Sequence, residues 1–238
     1  MQVKPVFTTI TMAEQGTDER DGHLAARLRG FGFVGIFAVL VILGGNAVVA
    51  PLGAVLVLFW ARLSKTPWCS LGFIHPKSWA RTLILGALFG ITLKLLMKAL
   101  VMPLLGAPPI NQAYHYLAGN TAALPGIILM MIIVAGFGEE TVYRGYLFER
   151  LGKLLGTKGG ARIITVLFTS AWFAVLHYRE QGLPGVEQAS ITGLVFGTMF
   201  ALTHQLWMPM IAHAAFDLTA VAMIYWNAES DIAHFFFK

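Results

Sequence analysis

The chain is poor in cysteine and in charge, and each shortage excludes a class of protein. Cys69 is the only cysteine, so neither an intramolecular disulfide nor a zinc site built from cysteines is possible within the chain. Only 12% of the 238 residues are charged, compared with roughly 25% in ordinary soluble domains. Because 57% of the residues are hydrophobic, the composition indicates a membrane protein.

The basic residues are clustered instead of being spread along the chain. Nearly all lysines and arginines lie in three stretches, 1–29, 62–81 and 144–162. The net charge of +5 therefore indicates anchoring beside a lipid bilayer, and nucleic acid is not expected as a partner.

Six apolar runs have about the length of a membrane-spanning helix, which is about 20 residues. They are 32–60, 82–105, 124–151, 162–177, 190–204 and 207–226. The first run is long and contains Pro51, so it can be one tilted, kinked helix or a tight hairpin. We predict an all-α, multi-pass integral membrane bundle with about six to eight membrane helices.

Polar stretches at both ends frame one predicted domain. We expect a polar N-terminal arm at 1–30 and a single transmembrane helical domain at 31–228. The motif core of this domain is 124–226, and a C-terminal tail follows at 229–238.

Charge asymmetry between the loops predicts how the chain crosses the membrane. The basic loop 62–81 and the basic connector 150–162 are expected in the cytoplasm under the positive-inside rule. The segments 106–121 and 178–188 hold almost no basic residues and are expected on the opposite side.

Two carboxylates and a guanidinium lie inside the third apolar run, where charge is costly. Glu140 and Arg144 are four residues apart, so on a helix they share a face and can form an ion pair. Glu139 is rotated by about 100° from Glu140 and remains free for chemistry. It lies roughly 23 Å into the run at 1.5 Å per residue, so a membrane-interface position explains it poorly.

Two later apolar runs carry histidines at the same spacing. His177 follows Phe173 by one helical turn on the same face, and His213 precedes Asp217 by one turn. Each alone is explained by an interfacial histidine or by a simple His–Asp hydrogen bond. Together with Glu139, they predict a polar site shared by three helices.

Glu139, His177 and His213 are suited to the activation of water, and two chemistries fit them. The glutamate can act as a general base assisted by one histidine, while the other histidine donates to a developing oxyanion. Alternatively, the three side chains can bind zinc and leave one position open for water. The expected cofactor is therefore zinc for a metalloenzyme and none for a glutamate-dependent enzyme.

Three motifs follow one another on successive hydrophobic helices, and each joins polar or aromatic side chains four residues apart. They are Glu139-Glu140-x-x-x-Arg144, Phe173-x-x-x-His177 and His213-x-x-x-Asp217. In order, spacing and helical context they resemble the motifs of the CAAX prenyl endopeptidase and bacteriocin-processing family (CPBP, or Abi) of intramembrane proteases. The resemblance covers nearly half of the chain.

The resemblance implies an endopeptidase that hydrolyses a peptide bond in a membrane-associated protein or peptide. It implies a site within the membrane that opens toward the cytoplasm, in a bacterial or archaeal cell membrane. The family has been described both as metalloproteases and as glutamate-dependent proteases. The implied roles are water activation by Glu139 and His177, support of the helix by Glu140 and Arg144, and completion of the pocket by His213 and Asp217.

The third motif departs from the eukaryote-type members of that family. Those members end the motif in Asn, whose amide can donate to an oxyanion, whereas Asp217 can donate only when protonated. We therefore expect Asp217 to orient His213, and prenyl-substrate specificity transfers less readily to this chain.

Two function classes besides a protease remain open. A membrane transporter can use Glu139, His177 and His213 as a proton or cation relay, although the sequence shows no inverted halves with matching broken helices. A non-catalytic bacteriocin-immunity or scaffold protein can keep the helices and bind a partner, but an intact set of polar motifs argues against it.

The depths of the motif residues conflict if every helix starts at the membrane surface. His177 lies at the far end of its helix, whereas His213 lies only about two turns after Trp207. We expect either helices of unequal length and tilt, or a basic connector that dips so that the next helix begins deeper.

Overall fold

Residues 22–237 are described by a computed structural model, and this part of the chain is helical without β-strands. The predicted all-α class is confirmed. Residues 1–21, which are most of the predicted polar arm, and Lys238 lie outside the described range. The helices in chain order are α1 Gly22–Arg29, α2 Phe33–Val48, α3 Ala50–Leu63, α4 Trp79–Leu104, α5 Thr121–Leu155, α6 Gly159–Leu176, α7 Tyr178–Thr203, α8 Trp207–Tyr225 and α9 Glu229–Ala233.

Four of these helices, α4, α5, α6 and α8, are long and apolar enough to cross a membrane. Helices α1 and α2, bent by 64° relative to each other, could together form a fifth span. Helix α3 has only 14 residues and α7 begins with a polar stretch, so the six apolar runs yield four or five candidate spans. Large apolar side chains on the outer faces are exposed, as lipid contact requires.

The first apolar run forms a hairpin, which decides between the two expected forms. The chain leaves the helical conformation at Val49, and Pro51 lies in the first turn of α3, where its missing N–H costs nothing. Gly53 packs so closely on Asn46 that an added Cβ would lie 2.5 Å from its side chain. At the other end of the hairpin, Trp60 Nε1 donates to Leu28 O at 3.3 Å.

Both ends of the described chain are attached to the bundle. Arg150 Nη1 donates to the carbonyl of Arg29 at 2.9 Å, so the end of α1 lies against the second half of α5. In α9, Glu229 Oε1 accepts from Lys98 Nζ at 3.0 Å. Helices on both sides of residue 30 and of residue 228 therefore pack together. The domain boundaries at these two residues stay a prediction.

Small residues let the helices that carry the motifs approach one another. A Cβ on Gly90 of α4 would lie 2.0 Å from the carbonyl oxygen of Ala212 in α8. A Cβ on Gly136 of α5 would lie 2.8 Å from the Cβ of Ala214. The close α4–α8 and α5–α8 contacts therefore depend on glycine, and they hold the third motif against the first.

Unequal helix lengths remove the expected conflict in depth. Helix α8 begins deep in the bundle, because Leu206 N donates to Gly72 O at 2.9 Å and its side chain lies beside Gly145 of α5. About two turns later, His213 is level with Glu140. Helix α5 continues past this level to Leu155, and α6 then returns over its full length before His177.

We expect Gly90→Ala to lower the thermal unfolding midpoint in detergent. The new methyl group has no room beside Ala212, and overpacking of this kind costs about 1–3 kcal/mol. Gly126→Ala is the matched control, since this helical glycine has nothing within 4 Å of an added Cβ. Equal midpoints for the two variants would contradict the close α4–α8 contact.

Candidate active site

A buried carboxylate joins the helices of the site. Glu140 Oε1 lies 2.7 Å from Arg144 Nη1 and 2.7 Å from His213 Nδ1, so it connects α5 to α8. Arg144 Nη2 also donates to Gly193 O of α7 at 3.2 Å. Glu140 is 0% exposed, Arg144 1% and His213 5%. Such burial is affordable only because each charge has a partner at hydrogen-bond distance.

The contact with Glu140 sets the orientation of the His213 ring. Because a carboxylate only accepts, Nδ1 carries the proton and Nε2 faces the other two acids. Nε2 lies 3.5 Å from Asp217 Oδ2 and 3.9 Å from Glu139 Oε2. Both separations exceed an ordinary hydrogen bond, so the two acids act on Nε2 chiefly through their charge.

Glu139 and Asp217 differ from Glu140 because both reach an open space. Their side chains are 18% and 21% exposed, and both line a cavity of about 220 Å³. Wide π-helical turns carry this part of α5, over Met130–Glu139 and Thr141–Tyr146. Such turns are frequent at functional sites. Here they direct Glu140 to the buried ion pair with Arg144 and Glu139 to the cavity.

His177 reaches the same cavity from the end of α6. Its Nδ1 donates to the carbonyl of Phe173 at 2.8 Å, which leaves Nε2 as an acceptor. The Phe173 ring lies 4.5 Å from the His177 ring and 5.9 Å from the His213 ring, measured between centroids. Phe173 thus forms the apolar wall between the two histidines.

The remaining walls come from the tip of the α2–α3 hairpin, the loop before α5 and the start of α7. Asn46 Nδ2 donates to Tyr143 Oη at 2.8 Å and fixes the hairpin tip to α5. Tyr114 lines the cavity from the loop, and burial, followed by the nearby Glu180 carboxylate, raises the pKa of its phenol. Tyr114 therefore stays protonated and can donate a hydrogen bond.

Comparison with known families assigns this region of the chain. Residues 121–219 match the family described as Type II CAAX prenyl endopeptidase Rce1-like, which is a family of membrane proteases. This match covers less than half of the chain and agrees with the family that the three motifs resemble. The matched segment contains α5, α6, α7 and most of α8, and so every motif of the site. No curated protein and no solved structure matches the chain.

The match to the Rce1-like family model confirms the resemblance and supports a CAAX-type intramembrane protease in general. All six predicted site residues lie around one point, on α5, α8 and the end of α6. Contacts of 3.9 Å or less join five of them, and the cavity joins His177 to the others. Their catalytic roles stay predictions.

Sequence reasoning missed the direct contact between Glu140 and His213 and several residues of the cavity wall. Among these residues, Asn46 and Lys94 belong to helices outside the matched segment. Lys94 was detectable as one of two lysines, with Lys98, in an apolar run, and a buried charge there needs a reason. No local pattern pointed to Asn46.

The predicted zinc ligands do not fit a metal as they are placed. Within residues 22–237, no group of three or more His, Cys, Asp or Glu side chains is arranged to hold a metal ion.

We expect Glu140→Ala to lower the yield and the thermal unfolding midpoint sharply. The change leaves the Arg144 guanidinium buried without its carboxylate, and breaking a buried pair costs about 3–5 kcal/mol. Asp231→Asn in α9, which removes an exposed acid, is the control. A Glu140→Ala protein as stable as this control would show that the ion pair does not hold the site together.

Proposed function

We propose that the protein hydrolyses a peptide bond of a membrane-associated protein or peptide, with Glu139 as the general base. The observation that carries this proposal is that the adjacent side chains of Glu139 and Glu140 have different surroundings. Glu140 is sealed by Arg144 and His213, whereas Glu139 faces the cavity 3.9 Å from His213 Nε2. A carboxylate free of a cationic partner at hydrogen-bond distance is available to take a proton from water.

The first step forms the new carbon–oxygen bond. Water enters between Glu139 and His177, whose Nε2 accepts one of its hydrogen bonds and so orients it. Glu139 takes the other proton while the water oxygen attacks the carbonyl carbon of the substrate. When protonated, His213 Nε2 can donate to the resulting oxyanion, and the nearby Asp217 carboxylate favours the protonated ring.

The second step breaks the carbon–nitrogen bond. Glu139 returns its proton to the leaving nitrogen, and the tetrahedral intermediate collapses to a carboxylic acid and an amine. One water is consumed, and Glu139 is again ionised at the end. The apolar wall around Phe173 keeps bulk water away from the proton transfers.

The bilayer is the medium of this reaction, and the substrate reaches the cavity from it. Outward-facing apolar side chains surround the level of the site on α4 and α6. The transporter and the immunity or scaffold alternatives have no observation in their favour among residues 22–237, where the polar groups of the three motifs converge on one cavity.

We expect Glu139→Gln to abolish cleavage, and His177→Ala to reduce it at least about 100-fold, with little loss of folded protein. General base catalysis contributes about 100- to 10,000-fold. Cleavage of a farnesylated peptide with a CAAX ending, in proteoliposomes and followed by mass spectrometry, is the measurement. Glu187→Gln, a change at a half-buried glutamate of α7, is the matched control. Most of the wild-type rate in either variant would rule out the assigned role.

We further propose that the cavity opens away from the basic side of the protein. Its wall includes Asn111 and Tyr114 of the loop before α5 and Glu180 of α7. The positive-inside rule places these segments opposite the cytoplasm. This expectation and the cytoplasmic opening implied by the resemblance therefore exclude each other, and the charge asymmetry favours the first.

The single native cysteine allows a direct test of this orientation. Cys69 is exposed and lies in the basic loop, while His115 is exposed in the loop beside the cavity. We expect a membrane-impermeant thiol reagent added to intact cells to label the Cys69→Ser/His115→Cys protein and to spare the wild type. Labelling of the wild type alone would place the cavity on the cytoplasmic side.

A further inference from the structure

Lys94 of α4 is a buried cation that the reaction proposed above does not use. The residue is 6% exposed and lines the same cavity as Glu139 and His213. Its Nζ donates to Gln188 Oε1 at 2.8 Å and lies 4.7 Å from the centre of the Phe216 ring. Both contacts are with neutral groups.

The next lysine on the same helix shows what a structural cation looks like in this protein. One turn further along α4, Lys98 Nζ lies 3.0 Å from Glu229 Oε1 and 2.6 Å from Pro109 O. Among residues 22–237, no carboxylate lies within 4 Å of Lys94 Nζ. Burying an ammonium without a carboxylate partner is costly. The burial of Lys98 is explained by its ion pair, whereas the burial of Lys94 is not.

The acids that face the cavity do not remove this need. Asp217 Oδ2 is directed to His213 Nε2 at 3.5 Å, and Glu139 lies on the opposite helix, 3.9 Å from the same nitrogen. Glu180 is exposed at the start of α7. Each of these carboxylates therefore lies beyond ion-pair distance of Lys94 Nζ, on which they act only at longer range.

Lys94 lies at one end of the cavity and Glu139 lies at the other. Lys94 packs over Phe216, about one turn beyond His213 on α8, toward the loop that carries Tyr114. The end with Glu139 holds the reacting groups, and the end with Lys94 holds two donors. These donors are the ammonium and the Gln188 amide nitrogen, because the Gln188 oxygen is occupied by Lys94.

We propose that Lys94 and Gln188 bind a carboxylate of the substrate, a few residues from the bond that is cleaved. The carboxylate can belong to the C-terminus of the chain or to an acidic side chain. A cavity of about 220 Å³ admits only a short segment of peptide, and an extended chain spans about 3.3–3.6 Å per residue. The inference rests on the proposed peptidase activity.

Three versions of one farnesylated peptide test the inference in proteoliposomes. The first ends in a free carboxylate, the second in an amide, and the third in an amide after a glutamate placed near the end. We expect the wild type to cleave at least one carboxylate-bearing peptide about 10- to 100-fold faster in kcat/KM than the plain amide. This is the range of a charge-assisted hydrogen bond. The peptide that is preferred identifies the source of the carboxylate.

The variant Lys94→Met keeps the length and packing of the side chain and removes its charge. We expect it to cleave all three peptides at the rate of the plain amide. Arg81→Met is the matched control, because it removes one positive charge from the exposed first turn of the same helix. It should keep the wild-type preference.

The possible outcomes separate the inference from the proposed function. Equal cleavage of the three peptides by the wild type, or an unchanged preference in Lys94→Met, would overturn the inference and leave the peptidase intact. Cleavage of none of them by the wild type would overturn both. If Lys94→Met does not fold, a hydrophobic tripeptide can be tested as an inhibitor of the wild type. The tripeptide with a free C-terminal carboxylate should inhibit, and the same tripeptide with a C-terminal amide should not.

Discussion

One carboxylate oxygen of Glu140 accepts from both Arg144 and His213, and the rest of the site depends on this contact. The ion pair makes two buried charges tolerable in an apolar bundle, and the same oxygen fixes which nitrogen of His213 carries the proton. The other nitrogen is thereby directed to Glu139 and Asp217. Glu139 takes no part in this ion pair and lies at the cavity wall. Glu139 and Glu140 are chemically identical, and their different surroundings give them different roles.

Close contact between helices makes this network possible. Gly136 brings α5 against α8, and Gly90 brings α4 against the other side of α8, so that Ala212 and His213 lie between them. Helix α8 starts beside Gly145 of α5, which sets His213 level with Glu140. A larger side chain at Gly90 or Gly136 would push α8 away from its neighbour and displace His213. The packing of the bundle and the chemistry of the site are therefore one constraint.

The sequence predicted what depends on neighbours in the chain and missed what depends on neighbours in space. Helical spacing was sufficient to pair Glu140 with Arg144 and to place His213 and Asp217 on one face. It could not show that Glu140 also holds His213, since 73 positions separate them. The hairpin at Val49 was one of two expected forms, because length and composition do not determine whether a long apolar run folds back. Lys94 was missed because a lysine at this position matches no motif, although its burial without a carboxylate makes it unusual.

We propose that a glutamate, and not a metal ion, activates water in this protein. Metal content and peptide cleavage measured on the same purified sample, before and after chelation, test that statement most directly. We predict substoichiometric zinc and unchanged cleavage after the chelator is removed. About one zinc per chain, lost together with activity and restored with it, would contradict the account.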